Sequence, residues 1–179
     1  WLFDEKFSEN HLLAIGINSK ENENQTIKYF NSLSIFDHNL NIVNSYKKIN
    51  LVPFGEFLPF EKILKNIGLK TITNNYQSYS KGEEREIIDL NLNNLSVKIL
   101  PLICYEIIYS GKIFNESEFD FIINVSEDGW FGDSIGPHQH FAHSIFRAIE
   151  SGKYLLRSAN NGISAIINPT GVIEKKIDI

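Results

Sequence analysis

Short apolar runs, each ending in polar or turn-forming residues, recur along the chain and predict a series of strands. The run over residues 97–103 is mostly aliphatic and β-branched, which is typical of a strand buried on both faces. The run over residues 119–125 has the same character. Further strands are predicted at residues 11–17, 26–36, 40–43, 154–158, 163–167 and 172–179, with another strand or hairpin over residues 85–95.

Two stretches instead show helical spacing. Apolar residues at i, i+3, i+4 and i+7 predict a short helix over residues 59–66 that stops at Gly68. A longer helix is predicted to begin at Pro137 and to end at Gly152, with Arg147 and Glu150 close enough to pair. A polar turn is predicted over residues 18–25 and a polar loop over residues 71–84. The mixture of strands and helices, with hairpins at both ends, predicts an α/β fold with a mixed sheet.

Composition narrows the class of protein. The 179 residues suit one domain or most of one, and 42% hydrophobic with 22% charged residues is typical of a globular chain. A net charge of −5, with no run of Lys or Arg, argues against a nucleic-acid-binding surface. The single cysteine allows no internal disulfide. Because the sequence starts at Trp1 and has no methionine, we expect it to be part of a longer protein.

The candidate chemistry lies where predicted strands end. Cys104 follows the buried run 97–103, and ligands of open α/β sheets bind at the carboxyl ends of strands. A thiol there is a candidate nucleophile, although a free cysteine more often packs as a small hydrophobic residue. Lys48 and Glu56 flank a Pro- and Gly-containing turn. A thiol, a fixed cation and a carboxylate together could carry out acyl transfer, since the cation can stabilise the oxyanion of a tetrahedral intermediate.

Other chemistries find little support in the sequence. His138, His140 and His143 lack the spacing of a helical zinc site, because residues i and i+2 point to different faces. No Gly-x-Ser-x-Gly elbow, dinucleotide-binding glycine motif or Walker loop occurs. We therefore expect neither a metal nor a cofactor.

Five segments in one order resemble the apolipoprotein N-acyltransferases of the nitrilase, or carbon-nitrogen hydrolase, superfamily. The segments are Leu51-Val52-Pro53-Phe54-Gly55-Glu56, Cys104-Tyr105-Glu106, Gly129-Trp130-Phe131-Gly132, Ser134-Ile135-Gly136-Pro137-x-Gln139-His140 and Arg157-Ser158-x-Asn160-Asn161-Gly162. The match extends from about residue 46 to residue 171. It favours Cys104 as a nucleophile over Cys104 as a packing residue.

The resemblance implies an αββα four-layer sandwich with mixed sheets, of which residues 1–179 are a partial carbon-nitrogen hydrolase domain without its N-terminal part. It also implies a Glu-Lys-Cys triad, in which Cys104 is the nucleophile and Lys48 the lysine. Glu56 matches a second, supporting glutamate. Tyr105, Glu106 and Trp130 match residues that line the substrate site, and the loop after Glu56 matches a mobile arm near the membrane.

The implied reaction moves an acyl chain from a phospholipid to the cysteine, as a thioester. The chain then passes to the N-terminal cysteine of a diacylglyceryl-apolipoprotein. The implied location is the bacterial inner membrane, with the catalytic domain on the periplasmic face. Membrane-spanning helices of the family are not in this chain.

The sequence departs from the family pattern at several positions. The first triad glutamate, the general base, is expected upstream of residue 1, so we expect residues 1–179 alone to be inactive. Asn50 stands where many relatives have histidine, and His138 replaces a tryptophan. Ser126-Glu127-Asp128 replaces a more usual Ser-Asn-Asp.

Two other functions remain compatible with the residues. A soluble amidase or nitrilase of the same superfamily would use the same triad and pass the acyl group to water. A non-enzymatic interaction module would keep only the fold, which the presence of Cys104, Lys48 and Glu56 argues against. The sequence is compatible with a monomer and with a dimer.

Overall fold

A three-stranded antiparallel sheet forms the N-terminal part of the domain. The computed structural model describes residues 7–23, 26–60, 78–92, 95–111 and 118–178. Strands β1 (Leu13–Glu23), β2 (Thr26–Phe36) and β3 (Ile42–Lys47) are neighbours in that order. The tight turn between β2 and β3 is closed by Asp37, whose side chain accepts hydrogen bonds from the backbone of Asn39 and Asn41.

The remaining strands form a six-stranded sheet in sequence order: β4 (Ile88–Leu92), β5 (Leu95–Ile103), β6 (Phe121–Glu127), β7 (Tyr154–Asn160), β8 (Ser164–Ile167) and β9 (Ile173–Ile177). The central strands β5, β6 and β7 are parallel. The pairs β4–β5, β7–β8 and β8–β9 are antiparallel. The sheet is therefore mixed, as the hairpins at both ends predicted.

The helix α1 (Gly136–Ser151) connects β6 to β7 and has the predicted ends. Pro137 lies in its first turn, and Gly152 follows its last turn with a φ of 63°, a left-handed conformation that glycine adopts without strain. The predicted pair forms, with Arg147 Nε 2.6 Å from a carboxylate oxygen of Glu150. Arg147 is buried in this helix, whereas Ile149 is half exposed.

Alternation along β5 divides the core into two layers. Ile99 and Ile103 face the three-stranded sheet and pack with apolar residues of that sheet. Leu100 and Leu102 face the opposite way and pack with α1 and its neighbours. The described residues thus form three layers, sheet on sheet on helix, which agrees with the nitrilase-like arrangement. A second outer helical layer is not represented among them.

One predicted turn is part of a strand. The polar stretch from residue 18 was expected to form a turn up to residue 25, but β1 continues to Glu23. Polar pairs across the strands support it, such as the hydrogen bond of 2.6 Å between the hydroxyls of Ser19 and Ser32. The predicted helix over residues 59–66 lies largely outside the described residues, and Pro59 and Phe60 form a turn. Within the predicted loop, residues 78–84 have no helix or strand.

Candidate active site

Five of the six residues singled out in the sequence line one cavity. The cavity has a volume of about 820 Å³ and lies at the carboxyl ends of β5 and β6, under the edge of β1. Its lining includes Lys48, Glu56, Cys104, Tyr105 and Trp130. Three segments that are distant in sequence therefore meet where open α/β sheets bind ligands.

Cys104 lies directly at the end of β5, as predicted. It is the first residue of a short 3-10 helix, Cys104–Ile108, and its φ of 49° is in the left-handed region. A side chain other than glycine is strained there, and such strain is concentrated at functional sites. The thiol is half-buried and faces the cavity. The turn thus presents the side chain to the cavity at the end of a rigid strand, at the margin of the core.

Lys48 and Glu56 form a buried ion pair at the cavity wall. Lys48 is 1% exposed, and its Nζ donates to Glu56 Oε2 at 2.7 Å. The backbone amide of Val52 donates to the same oxygen at 2.8 Å, and Asn31 Nδ2 donates to Oε1 at 2.6 Å. A buried ammonium is stable only with such a partner, so Glu56 fixes both the charge and the position of Lys48.

Glu106 does not line the cavity, which differs from its expected role as a substrate contact. Its carboxylate has no exposed surface and is surrounded by donors. The donors are the backbone amides of Ile49, Asn50 and Ile103, the hydroxyl of Tyr46 and the guanidinium of Arg85. Glu106 therefore joins the segment after Lys48 to the turn that carries Cys104.

Tyr46 and Arg85 complete the surroundings of this carboxylate. Burial, and then the negative charge of Glu106, raise the pKa of Tyr46 far above its usual value. The hydroxyl consequently remains protonated and donates to Glu106 at 2.9 Å. The guanidinium of Arg85 lies 5.6 Å from the centre of the Tyr46 ring and also donates to the carbonyl of Pro101.

Tyr105 and Trp130 supply exposed aromatic surface at the cavity. Their exposed fractions are 37% and 57%. Trp130 belongs to a 3-10 helix, Asp128–Phe131, which follows β6 directly. Glu127 caps this helix by accepting a hydrogen bond from the amide of Gly129 at 2.8 Å.

A buried polar network lies below the cavity and joins the three parallel strands. Asp128 accepts hydrogen bonds from Ser126 at 2.6 Å and from Arg157 at 2.7 Å. His140 Nδ1 lies 2.8 Å from Asp128 Oδ1, the same oxygen that accepts from Ser126. Arg157 also donates to Asn124, which in turn donates to the carbonyl of Leu102 in β5.

The network also sets the charge of its members. Burial raises the pKa of Asp128, but the hydrogen bonds from His140 and Ser126 and the charge of Arg157 lower it more, so the net shift is downward. Burial lowers the pKa of Arg157, and the charge of Asp128 opposes this effect. The two groups are therefore a mutually stabilised buried ion pair.

Sequence reasoning assigned no role to several of these residues. Arg157 directly follows the apolar residues Leu155 and Leu156 in β7, and a buried charge requires a partner, so its position was a usable signal. Asp128 comes directly after β6, where functional residues are expected. Asn31 and Arg85 carry no comparable signal, because their partners lie 25 and 21 residues away in sequence.

Neither a metal site nor a membrane span is found in the part of the chain that the structure describes. No group of three or more His, Cys, Asp or Glu side chains there could hold a metal ion. None of the helices described is long and apolar enough to cross a membrane.

Comparison with known families identifies the domain. The family model described as carbon-nitrogen hydrolase matches residues 8–178. The chain belongs to the carbon-nitrogen hydrolase family. This membership and the two packed sheets confirm the nitrilase-like fold expected from the sequence.

Several curated relatives of this carbon-nitrogen hydrolase domain share one name. The apolipoprotein N-acyltransferase of Rhizobium rhizogenes is 40% identical over 152 residues, covering 84% of this chain and 28% of the relative. The apolipoprotein N-acyltransferase of Rickettsia prowazekii is 37% identical over 169 residues, covering 94% of this chain and 33% of the relative. The chain thus spans about a third or less of these relatives.

Solved structures share the fold at low sequence identity. A carbon-nitrogen hydrolase from Helicobacter pylori aligns with a TM-score of 0.63 and 14% identity, over 94% of this chain and 58% of that chain. An amidase mutant from Nesterenkonia sp. AN1 aligns with a TM-score of 0.60 and 14% identity, over 95% and 58% of the two chains. In that amidase, the acetamide moiety of fluoroacetamide is added covalently at the active-site cysteine.

Proposed function

We propose that the full-length protein is an apolipoprotein N-acyltransferase in which Cys104 carries the acyl group. The observation that carries the proposal is the meeting of a half-buried thiol, held in a left-handed turn, with the Lys48–Glu56 pair in one cavity. The name shared by relatives at 37–40% identity supports the substrate class.

In the first step, the sulfur of Cys104 attacks the ester carbonyl of a phospholipid. The thiol proton passes to a carboxylate base, which the family resemblance expects upstream of residue 1. The carbonyl oxygen becomes an oxyanion, and the ammonium of Lys48 stabilises it. The carbon-oxygen bond then breaks, lysophospholipid leaves with a proton, and a thioester remains on Cys104.

In the second step, the neutral α-amino group of the diacylglyceryl-apolipoprotein attacks the thioester. An amide bond forms, the carbon-sulfur bond breaks, and the proton from the amine restores the thiol. Lys48 again faces the developing oxyanion, because its bond to Glu56 keeps the ammonium in place. The family resemblance implies that this chemistry takes place at the bacterial inner membrane, on the periplasmic face.

Glu106 supports these steps from behind the cavity. Since it is fully buried, it holds the backbone of Ile49 and Asn50 against the Cys104 turn instead of contacting substrate. The exposed aromatic surfaces of Tyr105 and Trp130 are suited to the apolar parts of a lipid substrate.

The experiment combines the full-length protein with phospholipid and a peptide that starts with diacylglyceryl-cysteine. Mass spectrometry follows lysophospholipid and N-acylated peptide. We expect both products from the wild type and neither from Cys104→Ala. N-acylation by Cys104→Ala at the wild-type rate would refute the nucleophile, whereas ammonia release from small amides without N-acylation would favour an amidase.

A further inference from the structure

Glu127 is a second carboxylate in the cavity wall, and the reaction described above gives it no role. It is the last residue of β6 and lines the same cavity as Cys104.

Glu127 gives the cavity a negative charge. The Lys, Arg, Asp and Glu residues of its lining are Lys48, Glu56 and Glu127. Lys48 and Glu56 neutralise each other across 2.7 Å, and Arg157 below the cavity is paired with Asp128. The charge of Glu127 has no such counterion among the lining residues that the structure describes.

Hydrogen bonds hold the Glu127 side chain in place. Oε1 accepts from the amide of Gly129 at 2.8 Å and from Asn161 Nδ2 at 3.2 Å, and Oε2 accepts from Asn160. Burial raises the pKa of Glu127, but these hydrogen bonds lower it by more, so its net shift is downward. The carboxylate is therefore ionised at neutral pH.

A glycine leaves space for this carboxylate close to the backbone. A Cβ on Gly129 would lie 2.5 Å from Glu127 Oε1, so the hydrogen bond to that amide depends on glycine. A carboxylate offers about four acceptor positions, and three are used by the donors just described. The remaining position is on Oε2, whose donor Asn160 lines the cavity together with Glu127.

We propose that Glu127 binds the primary ammonium group of a substrate. The inference rests on the proposed function, because both substrates of that reaction can carry such a group. One source is the ethanolamine headgroup of a phospholipid donor, and the other is the protonated N-terminus of the acceptor before it loses its proton. An anchored, ionised carboxylate provides an ion pair and a hydrogen bond to either.

The test compares Glu127→Gln with the wild type in the full-length protein. Glutamine keeps the length of the side chain and an oxygen that can accept from Gly129, but it removes the charge. Glu84→Gln, at an exposed position outside the cavity lining, is the matched control for loss of one negative charge. Glu127→Asn is a second neutral variant, with a side chain one carbon shorter.

Two measurements separate the two sources. The first is the donor concentration that gives half-maximal thioester on Cys104, with ethanolamine-headgroup and with glycerol-headgroup phospholipid. The second is the acceptor peptide concentration that gives half-maximal transfer from the preformed thioester. For a solvent-accessible ion pair, we expect an increase of about threefold to tenfold in one of them, in both neutral variants and not in Glu84→Gln.

Each outcome decides the proposal. An increase for the ethanolamine donor alone assigns Glu127 to the headgroup, and an increase for the acceptor alone assigns it to the N-terminus. Values within twofold of the wild type in both measurements, or an equal increase for both headgroups, would overturn the role of Glu127 while leaving the acyltransferase intact. Absence of any thioester in the wild type would instead overturn the proposed function and this inference with it.

Discussion

Lys47, the last residue of β3, and Lys48, which follows it, have opposite environments. Lys47 is partly exposed, pairs with Glu21 at 2.6 Å and lies 4.6 Å from the centre of the Phe30 ring. Lys48 is buried and points its ammonium at Glu56 in the cavity wall. The alternation of side chains along an extended backbone produces this difference. Of the two lysines, Lys48 lines the cavity and Lys47 does not.

Replacement of Lys48 by methionine should abolish most of the activity. Methionine has a similar length but no charge, so the oxyanion loses its cation, and kcat for thioester formation should fall by about 10²- to 10³-fold. Single-turnover release of lysophospholipid measures this step. Lys47→Met is the matched control and should keep kcat within about twofold of the wild type. Equal activity of the two variants would refute the role of Lys48.

At the scale of single residues, the sequence predicted the residues that line the cavity better than those that lie behind it. Cys104, Lys48 and Glu56 were found because strand ends and a multi-segment resemblance mark them, and the structure brings them together. Glu106 was expected in the lining because it matches a residue that lines the substrate site of the family. Its true position depends on donors from two distant segments, residues 46–50 and Arg85, which no local pattern contains.

At the scale of elements, Glu106 joins the end of β3 to the end of β5. Glu106→Gln would replace one carboxylate oxygen by an amide that faces N–H donors, and Arg85 would lose its buried counterion. We expect the free energy of unfolding to fall by about 3–5 kcal/mol. Chemical denaturation of the full-length protein, followed by tryptophan fluorescence, measures the change.

The exposed Glu86 provides the control for this substitution. Glu86→Gln should change the free energy of unfolding by no more than about 0.5 kcal/mol. A loss of less than about 1 kcal/mol in Glu106→Gln would show that the carboxylate does not hold the two segments together.

The network around Asp128 joins β6, β7 and α1, and it makes stability depend on pH. The pKa of Asp128 is lowered below 3.8 in the folded protein. Above that value, the ionised carboxylate therefore makes its full contribution to the free energy of unfolding. The contribution is lost as the pH falls through the lower, folded pKa. Wild type should therefore be more stable than Asp128→Asn at pH 7, and this advantage should shrink as the pH falls below about 4.

Thermal unfolding of both proteins between pH 3 and pH 7 measures the effect. Asp133→Asn, at an exposed position, is the control and should follow the wild type across the range. A constant difference between wild type and Asp128→Asn at every pH would show that the charge of Asp128 does not stabilise the network.

The elements themselves were predictable wherever burial imposes a pattern. The bounds of β2 were predicted as residues 26–36 because its apolar positions form the core of the small sheet. The end of β1 was missed because its last residues are held by polar pairs with β2 and β3, which give no apolar alternation. The two ends of α1 were predicted because Pro137 and Gly152 mark them directly.

At the scale of the whole molecule, the packing of the two sheets and the helix determines where the cavity lies. Their packing brings β1, the segment after β3 and the ends of β5 and β6 to a single cavity. The chain covers 26–33% of the length of its relatives, so the full-length protein is the proper subject of each functional test.

The most direct test of the account is the intact mass of the full-length protein after incubation with phospholipid. We predict a mass increase of one fatty acyl group in the wild type, its removal by hydroxylamine, and its absence in Cys104→Ala. An adduct that persists in Cys104→Ala, or a wild-type protein that gains no mass while it acylates the acceptor peptide, would contradict a thioester at Cys104.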